Sequence, residues 1–223
     1  MALVKSVNIG VPRSNPWKDA GTTGIDKRPV SGPVAVRAPG PKGTGAVGLH
    51  GDRVHDVEHH GGDYQAVYAY ARESLDGWAE RLGRPLDDGA FGENLTTSGF
   101  DVDAALIGER WQVGPDLLLE VSCPRIPCGT FQGWMGERGW IRTFTDAAEP
   151  GAYLRVIEPG EIRAGDPIVL SHRPDHHVSV ATCFRALTTQ PDLLPDCWPP
   201  ASLMRYLPRT WPGSAAVCTA ESH

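Results

Sequence analysis

The chain has little positive charge to spare: 21 Lys and Arg stand against 27 Asp and Glu in 223 residues, a net charge of -6 at pH 7. A dedicated nucleic-acid binder needs a cationic face, so nucleic acid is not an expected partner. The chain also lacks an unbroken apolar run of about 18 residues, the length a membrane-spanning helix requires. Met1-Ala2-Leu3-Val4-Lys5 has no signal-peptide profile. The expected location is therefore cytoplasmic, with no membrane partner. Cysteines are few, at 123, 128, 183, 197 and 218, and their odd number and wide spacing exclude a disulfide framework. Cys123 and Cys128 are close together, but the two prolines between them make a small disulfide loop awkward to close.

Glycine and proline are plentiful, at 26 and 20, and they predict many turns between short strands. The length suits one domain plus an appendage. Alternation or apolar runs predict strands at Val4–Ile9, Val34–Arg37, Ala46–Leu49, Gln65–Tyr70, Gly108–Val113, Leu117–Ser122, Tyr153–Ile157 and Pro167–Leu170. Leu75, Trp78, Ala79 and Leu82 follow helical spacing, and Gly83 is placed to stop that helix. Trp134, Met135, Trp140, Ile141 and Phe144 predict short helices, as do Val180 to Leu187 and Leu203 to Leu207. The expected fold is mainly β: a closed or nearly closed antiparallel barrel over residues 1–172 with a few packing helices. A small helical appendage is expected over 173–210, and 211–223 lacks periodicity and is expected to be mobile.

The chemistry concentrates in Val121-Ser122-Cys123-Pro124-Arg125-Ile126-Pro127-Cys128. A strand that meets two prolines must leave its sheet, because proline cannot donate to a ladder. Cys128 is thus expected on a stiff loop with Arg125 beside it, an arrangement that favours the thiolate as nucleophile or metal ligand. The same octapeptide is equally compatible with an inert buried thiol. Lys27 and Arg28 follow Gly24, and they read either as a solvated pair or as an anion cradle. Four of the eight histidines, His50, His55, His59 and His60, share one stretch. Its spacing is not that of a zinc-protease helix, and His60 reads as a polar group aimed into a pocket by the Gly61-Gly62 turn. Glu93 and Asn94, after Gly92, fit either a plain turn or a cavity wall.

Taken in order, Leu49-His50-Gly51-Asp52-Arg53, His60-Gly61-Gly62, Ala66 to Tyr70, Phe91-Gly92-Glu93-Asn94-Leu95-Thr96, Ile107 to Arg110, Pro124 to Cys128 and Tyr153 to Val156 resemble the MOSC family, the domains named after the C-terminal part of molybdenum cofactor sulfurases. The Thr23-Gly24-Ile25-Asp26-Lys27 segment and the helical tail resemble its stand-alone bacterial YiiM-like branch. The resemblance implies a β-barrel and a molybdenum cofactor of the molybdopterin form, a pterin dithiolene with a terminal phosphate. It makes Cys128 the expected molybdenum ligand and assigns Cys123 no such role. It further implies that Lys27 and Arg28 neutralise the phosphate, that Arg125 supports the thiolate or the pterin, and that His60, Gly61, Glu93 and Asn94 line the pocket. One departure stands out: Tyr64 occupies a position that is usually acidic, with Asp63 just before it.

The activity implied is reduction of an N-hydroxylated small molecule, such as a hydroxylamino-purine, to the amine, with His60 or Glu93 as proton donor. No flavin or iron–sulfur motif is visible, so a separate electron-donor reductase is an expected partner; a homodimer is compatible with the reading. Two rivals remain: a metal-free sulfur carrier or C–S bond enzyme with a Cys128 persulfide, and a non-catalytic carrier of the cofactor.

Overall fold

The computed structural model describes residues 1–18 and 21–194. Among these residues ten strands form two sheets. In chain order they are β1 (Leu3–Ser14), β2 (Thr22–Pro29), β3 (Val34–Val36), β4 (Val67–Ala71), β5 (Leu95–Ser98), β6 (Arg110–Val113), β7 (Leu117–Pro124), β8 (Ala152–Glu158), β9 (Gly160–Ile162) and β10 (Ile168–His172). Among the described residues four α-helices accompany them: α1 (Arg72–Leu82), α2 (Gly129–Met135), α3 (Trp140–Ala147) and α4 (Val180–Thr188). The large sheet runs β10-β6-β7-β8-β4-β5-β1-β2, and β3 pairs with β9 in a small one. Neighbouring strands are antiparallel except β4 and β5, which α1 joins as a crossover.

The barrel expectation is corrected. The sheet is open, with β10 and β2 as its edges. It coils until the start of β1 reaches the segment before β10, where Leu3 and Pro167 make one isolated bridge and Val4 N–H donates to Asp166 O at 2.9 Å. Ile168 N–H also donates to Ala2 O at 3.0 Å and Gly165 N–H to Val4 O at 2.8 Å, and the pairing ends there, where the Arg163–Asp166 turn leads the chain away.

Strand β4 divides the interior. Its residues are buried on both faces, with Val67, Ala69 and Ala71 in an aliphatic core and Tyr68 and Tyr70 in an aromatic one. Phe91 sits at the centre of the aromatic core, its ring 5.0 to 6.1 Å from those of Tyr70, Trp78, Phe131, Trp140 and Phe144. These rings pack mostly edge to face, the arrangement their quadrupoles favour. Helices α2 and α3 are thereby fixed over the end of β7, where Cys128 lies.

Several elements differ from the sequence reading. Residues 46–49 contribute only a bridge, Val36 to Leu49, while β2, β5 and β9 were not foreseen. Charged and proline-ended, β2 has the composition of an edge strand, and that is its position. The segment expected as an appendage begins with α4, whose Val180, Cys183 and Ala186 are buried in the aliphatic core. The helix expected around Leu203, Tyr206 and Leu207 and the tail from 211 lie outside the described residues.

Candidate functional site: a cleft around Cys128

Strand β7 delivers the cysteine. Between Val121 and Cys123 its register against β8 shifts, and the intervening Ser122 donates through Oγ to Tyr153 O at 2.8 Å. This bulge re-aims the strand end, and Pro124 and Pro127 then carry the chain off the sheet. Cys128 follows as the residue capping the start of α2, with extended φ/ψ of −128° and 169°. It is partly exposed in a cleft open to solvent.

Burial alone would raise the Cys128 pKa. Hydrogen bonding from the His60 side chain, the charge of Arg125 and the Phe131 backbone amide outweigh it and bring the thiol down to about 6. At neutral pH the sulfur is therefore mostly thiolate. Arg125 is buried, yet it has no carboxylate ion pair among the described residues. Its Nη1 donates to Phe91 O at 2.7 Å, and its guanidinium stacks 3.6 Å from the Phe131 ring centroid. Cation–π contact, the Phe91 carbonyl and a hydrogen bond with Tyr68 hold it in place, and the Cys128 sulfur is the anion it faces.

His60 and Gly61 line the same cleft. Gly61 and Gly62 take φ of 90° and 82°, the left-handed region open to glycine, and this turn presents the imidazole. The loop before them is pinned by Asp56, which accepts from Lys18 Nζ at 3.0 Å and from the His59 backbone at 3.2 Å. Asp63 faces away: its Oδ1 accepts from Gly40 N–H at 2.7 Å, while Tyr64 stacks beneath the Arg155 guanidinium. Neither of these replaces an acid in the cleft.

Asn94 and Lys27 also reach the cleft, joined through a residue the sequence reading had not singled out. Asp52 accepts Lys27 Nζ on both oxygens at 2.7 Å, Asn94 Nδ2 at 2.8 Å and Gly10 N–H at 2.8 Å. Burial would lift this carboxyl, but Lys27 and these donors hold it below the usual carboxylate range. The only prior signal for Asp52 was its place between Gly51 and Arg53 in a quoted motif.

Two expected site residues lie elsewhere. Arg28 is more than half exposed, pairs with Asp26 at 2.9 Å, and lines a separate groove with Arg84 and Trp134. Glu93 is fully buried and is absent from the cleft wall. It accepts from Gly89 N–H, Phe91 N–H and Thr96 Oγ1, and the Thr96 hydroxyl itself accepts from Asn8. Burial pushes the Glu93 carboxyl up to about 7 against those donors. Its observed work is positional: it fixes the turn whose Phe91 carbonyl anchors Arg125.

Two further cleft residues were passed over. Arg53 is exposed on the wall and has no ion pair among the described residues, and His55 carries a buried Nε2 with no hydrogen-bond partner. The chemistry fits a phosphorylated pterin that brings its own sulfur donors. One thiolate is offered to a soft metal, and open hydrogen-bonding capacity stands in the same cleft.

Comparisons agree with this geometry. The MOSC domain model matches residues 56–169. YflK of Bacillus subtilis is 32% identical over 178 residues, covering 79% of this chain and 76% of that protein. A Gibberella moniliformis protein named reductase is 34% identical over 164 residues, 71% of this chain but only 29% of its own length. The crystal structure of YiiM from Geobacillus stearothermophilus superposes with a TM-score of 0.69 at 29% identity, covering 95% of this chain and 92% of that one. The cysteine cleft, the open coiled sheet and these matches lead to one conclusion: the chain belongs to the MOSC domain family.

Proposed function

We propose that this protein binds a molybdenum cofactor through Cys128 and reduces N-hydroxylated compounds to amines. The observation that carries the reading is the Cys128 sulfur: partly open to the cleft, held as thiolate near neutral pH, and facing a buried arginine. The Gibberella relative's name, reductase, supports the reaction class. Bound molybdenum supplies the two-electron redox change.

The chain's own residues do the rest. Cys128 is the ligand, and Arg125 keeps it anionic. His60, on the cleft wall beside the sulfur, is the proton donor, while Glu93 is sealed from substrate and acts by positioning. Asp52 fixes Lys27 and Asn94 as polar contacts. The balanced reaction is R–NHOH plus two electrons and two protons giving R–NH2 and water. The electrons come from a separate reductase, and both hydrogen-bonded nitrogens and oxygen of the substrate suit a polar cleft.

The test is turnover. Protein from a cofactor-producing host, given a hydroxylamino-purine and a reductase, should yield the amine, and Cys128→Ala should yield none. Stoichiometric molybdenum without amine would favour the non-catalytic carrier. A persulfide mass on Cys128 with no molybdenum would favour the sulfur carrier, which the same low-pKa thiol would serve.

A further inference from the structure

The cleft is lined by four arginines and lysines or is braced by them, and three are occupied. Lys27 is gripped by Asp52, Lys18 by Asp56, and Arg125 is buried against Phe131 and Phe91 O. Arg53 is the exception: it lines the cleft with no ion pair or side-chain hydrogen bond among the described residues. Two residues further along the same loop, His55 Nε2 is buried without a partner. A buried polar atom left unpaired costs about 1–3 kcal/mol, and such atoms in native structures call for a reason. The loop is held in place on both sides of the pair. The Arg53 carbonyl lies so close to Gly24 that a Cβ there would meet it at 2.7 Å, and Asp56 is clamped by Lys18 and His59.

We infer that Arg53 and His55 form an anion-receiving pair on the cleft wall, taking an oxyanion group of the ligand that Cys128 serves. The guanidinium supplies charge and two parallel N–H groups; the imidazole supplies a donor already stripped of water. This displaces Lys27 and Arg28 from the role, since Asp52 and Asp26 already neutralise them. The inference rests on the cleft being a ligand site, and not on the identity of the metal.

The probe is inorganic phosphate on cofactor-free protein, titrated by thermal shift at constant ionic strength. Phosphate should stabilise the wild type, and Arg53→Gln and His55→Leu should each weaken its binding by about fivefold or more. Arg142→Gln, at an exposed position of α3, should leave it unchanged. Without phosphate, His55→Leu should melt at or above the wild-type temperature, because an unpaired buried nitrogen has been removed. No phosphate stabilisation of the wild type, equal stabilisation of all variants, or a clearly lower melting temperature for His55→Leu would overturn the inference.

Two further arms locate the source of the oxyanion. Loss of pterin from Arg53→Gln made in a cofactor-producing host assigns it to the cofactor's phosphate. Unchanged pterin content in Arg53→Gln, with affinity lost relative to wild type for a hydroxylamino-purine nucleotide and not for its free base, assigns it to substrate. A wild type that binds phosphate through this pair yet carries no molybdenum would sink the proposed function and leave the pair standing.

Discussion

The buried guanidinium of Arg125 faces the sulfur of Cys128, and among the described residues no carboxylate pairs with it. The thiolate exists because His60 and Arg125 together overcome burial, so each should be separable by mutation. His60→Ala and Arg125→Gln are each expected to move the Cys128 pKa upward from about 6 by about 1–2 units. The pH dependence of Cys128 alkylation, read by mass mapping, measures this; an unmoved midpoint in both variants would contradict the arrangement.

The same depression makes stability depend on pH in a defined direction. The Cys128 pKa falls from 9.0 to about 6 on folding, so its contribution is present above pH 9 and is lost as pH falls through about 6. A shift of that size corresponds to at most about 4 kcal/mol. Denaturant unfolding across this window should show the wild type losing its advantage over Cys128→Ala as the pH drops.

Glu93 has the opposite sign. Its carboxyl rises from 4.5 to about 7 on folding, so its contribution is fully present below pH 4.5 and is lost as pH rises through 7. Glu93→Gln places an amide N–H2 among three donors and should cost about 1–3 kcal/mol at low pH. The wild-type advantage should shrink between pH 4.5 and 7, and urea midpoints at several pH values would measure it.

A glycine on α2 is tied to the β1 end. A Cβ at Gly133 would lie 2.2 Å from Trp17 Cγ, so Gly133→Ala must unseat the indole. The expected cost is about 1–3 kcal/mol, together with a red shift in tryptophan emission. Trp17→Ala should remove most of the additional effect, and additive losses in the double variant would contradict the contact.

Much of the site was legible because proline and glycine act locally. Pro124 and Pro127 must take Cys128 off its strand, and Gly61-Gly62 must turn His60, whatever the rest of the chain does. The helix ending at Gly83 was readable for the same reason. What stayed hidden depends on partners far along the chain. Adjacent lysine and arginine at 27 and 28 looked alike, yet β2 sends alternate side chains to opposite faces, so Lys27 meets Asp52 in the cleft and Arg28 meets Asp26 outside it. Glu93 next to Asn94 divides in the same way, one sealed and one on the wall. How far the sheet closes was equally unreadable, because it turns on one bridge and a few backbone hydrogen bonds between residues 2–4 and 165–168.

The metal content of protein from a cofactor-producing host tests the account most directly. Wild type should carry molybdenum and pterin at close to one per chain, and Cys128→Ala, folded by circular dichroism, should lose the molybdenum. Molybdenum retained in Cys128→Ala, or absent from natively loaded wild type, would contradict the assignment of that sulfur as the metal's ligand.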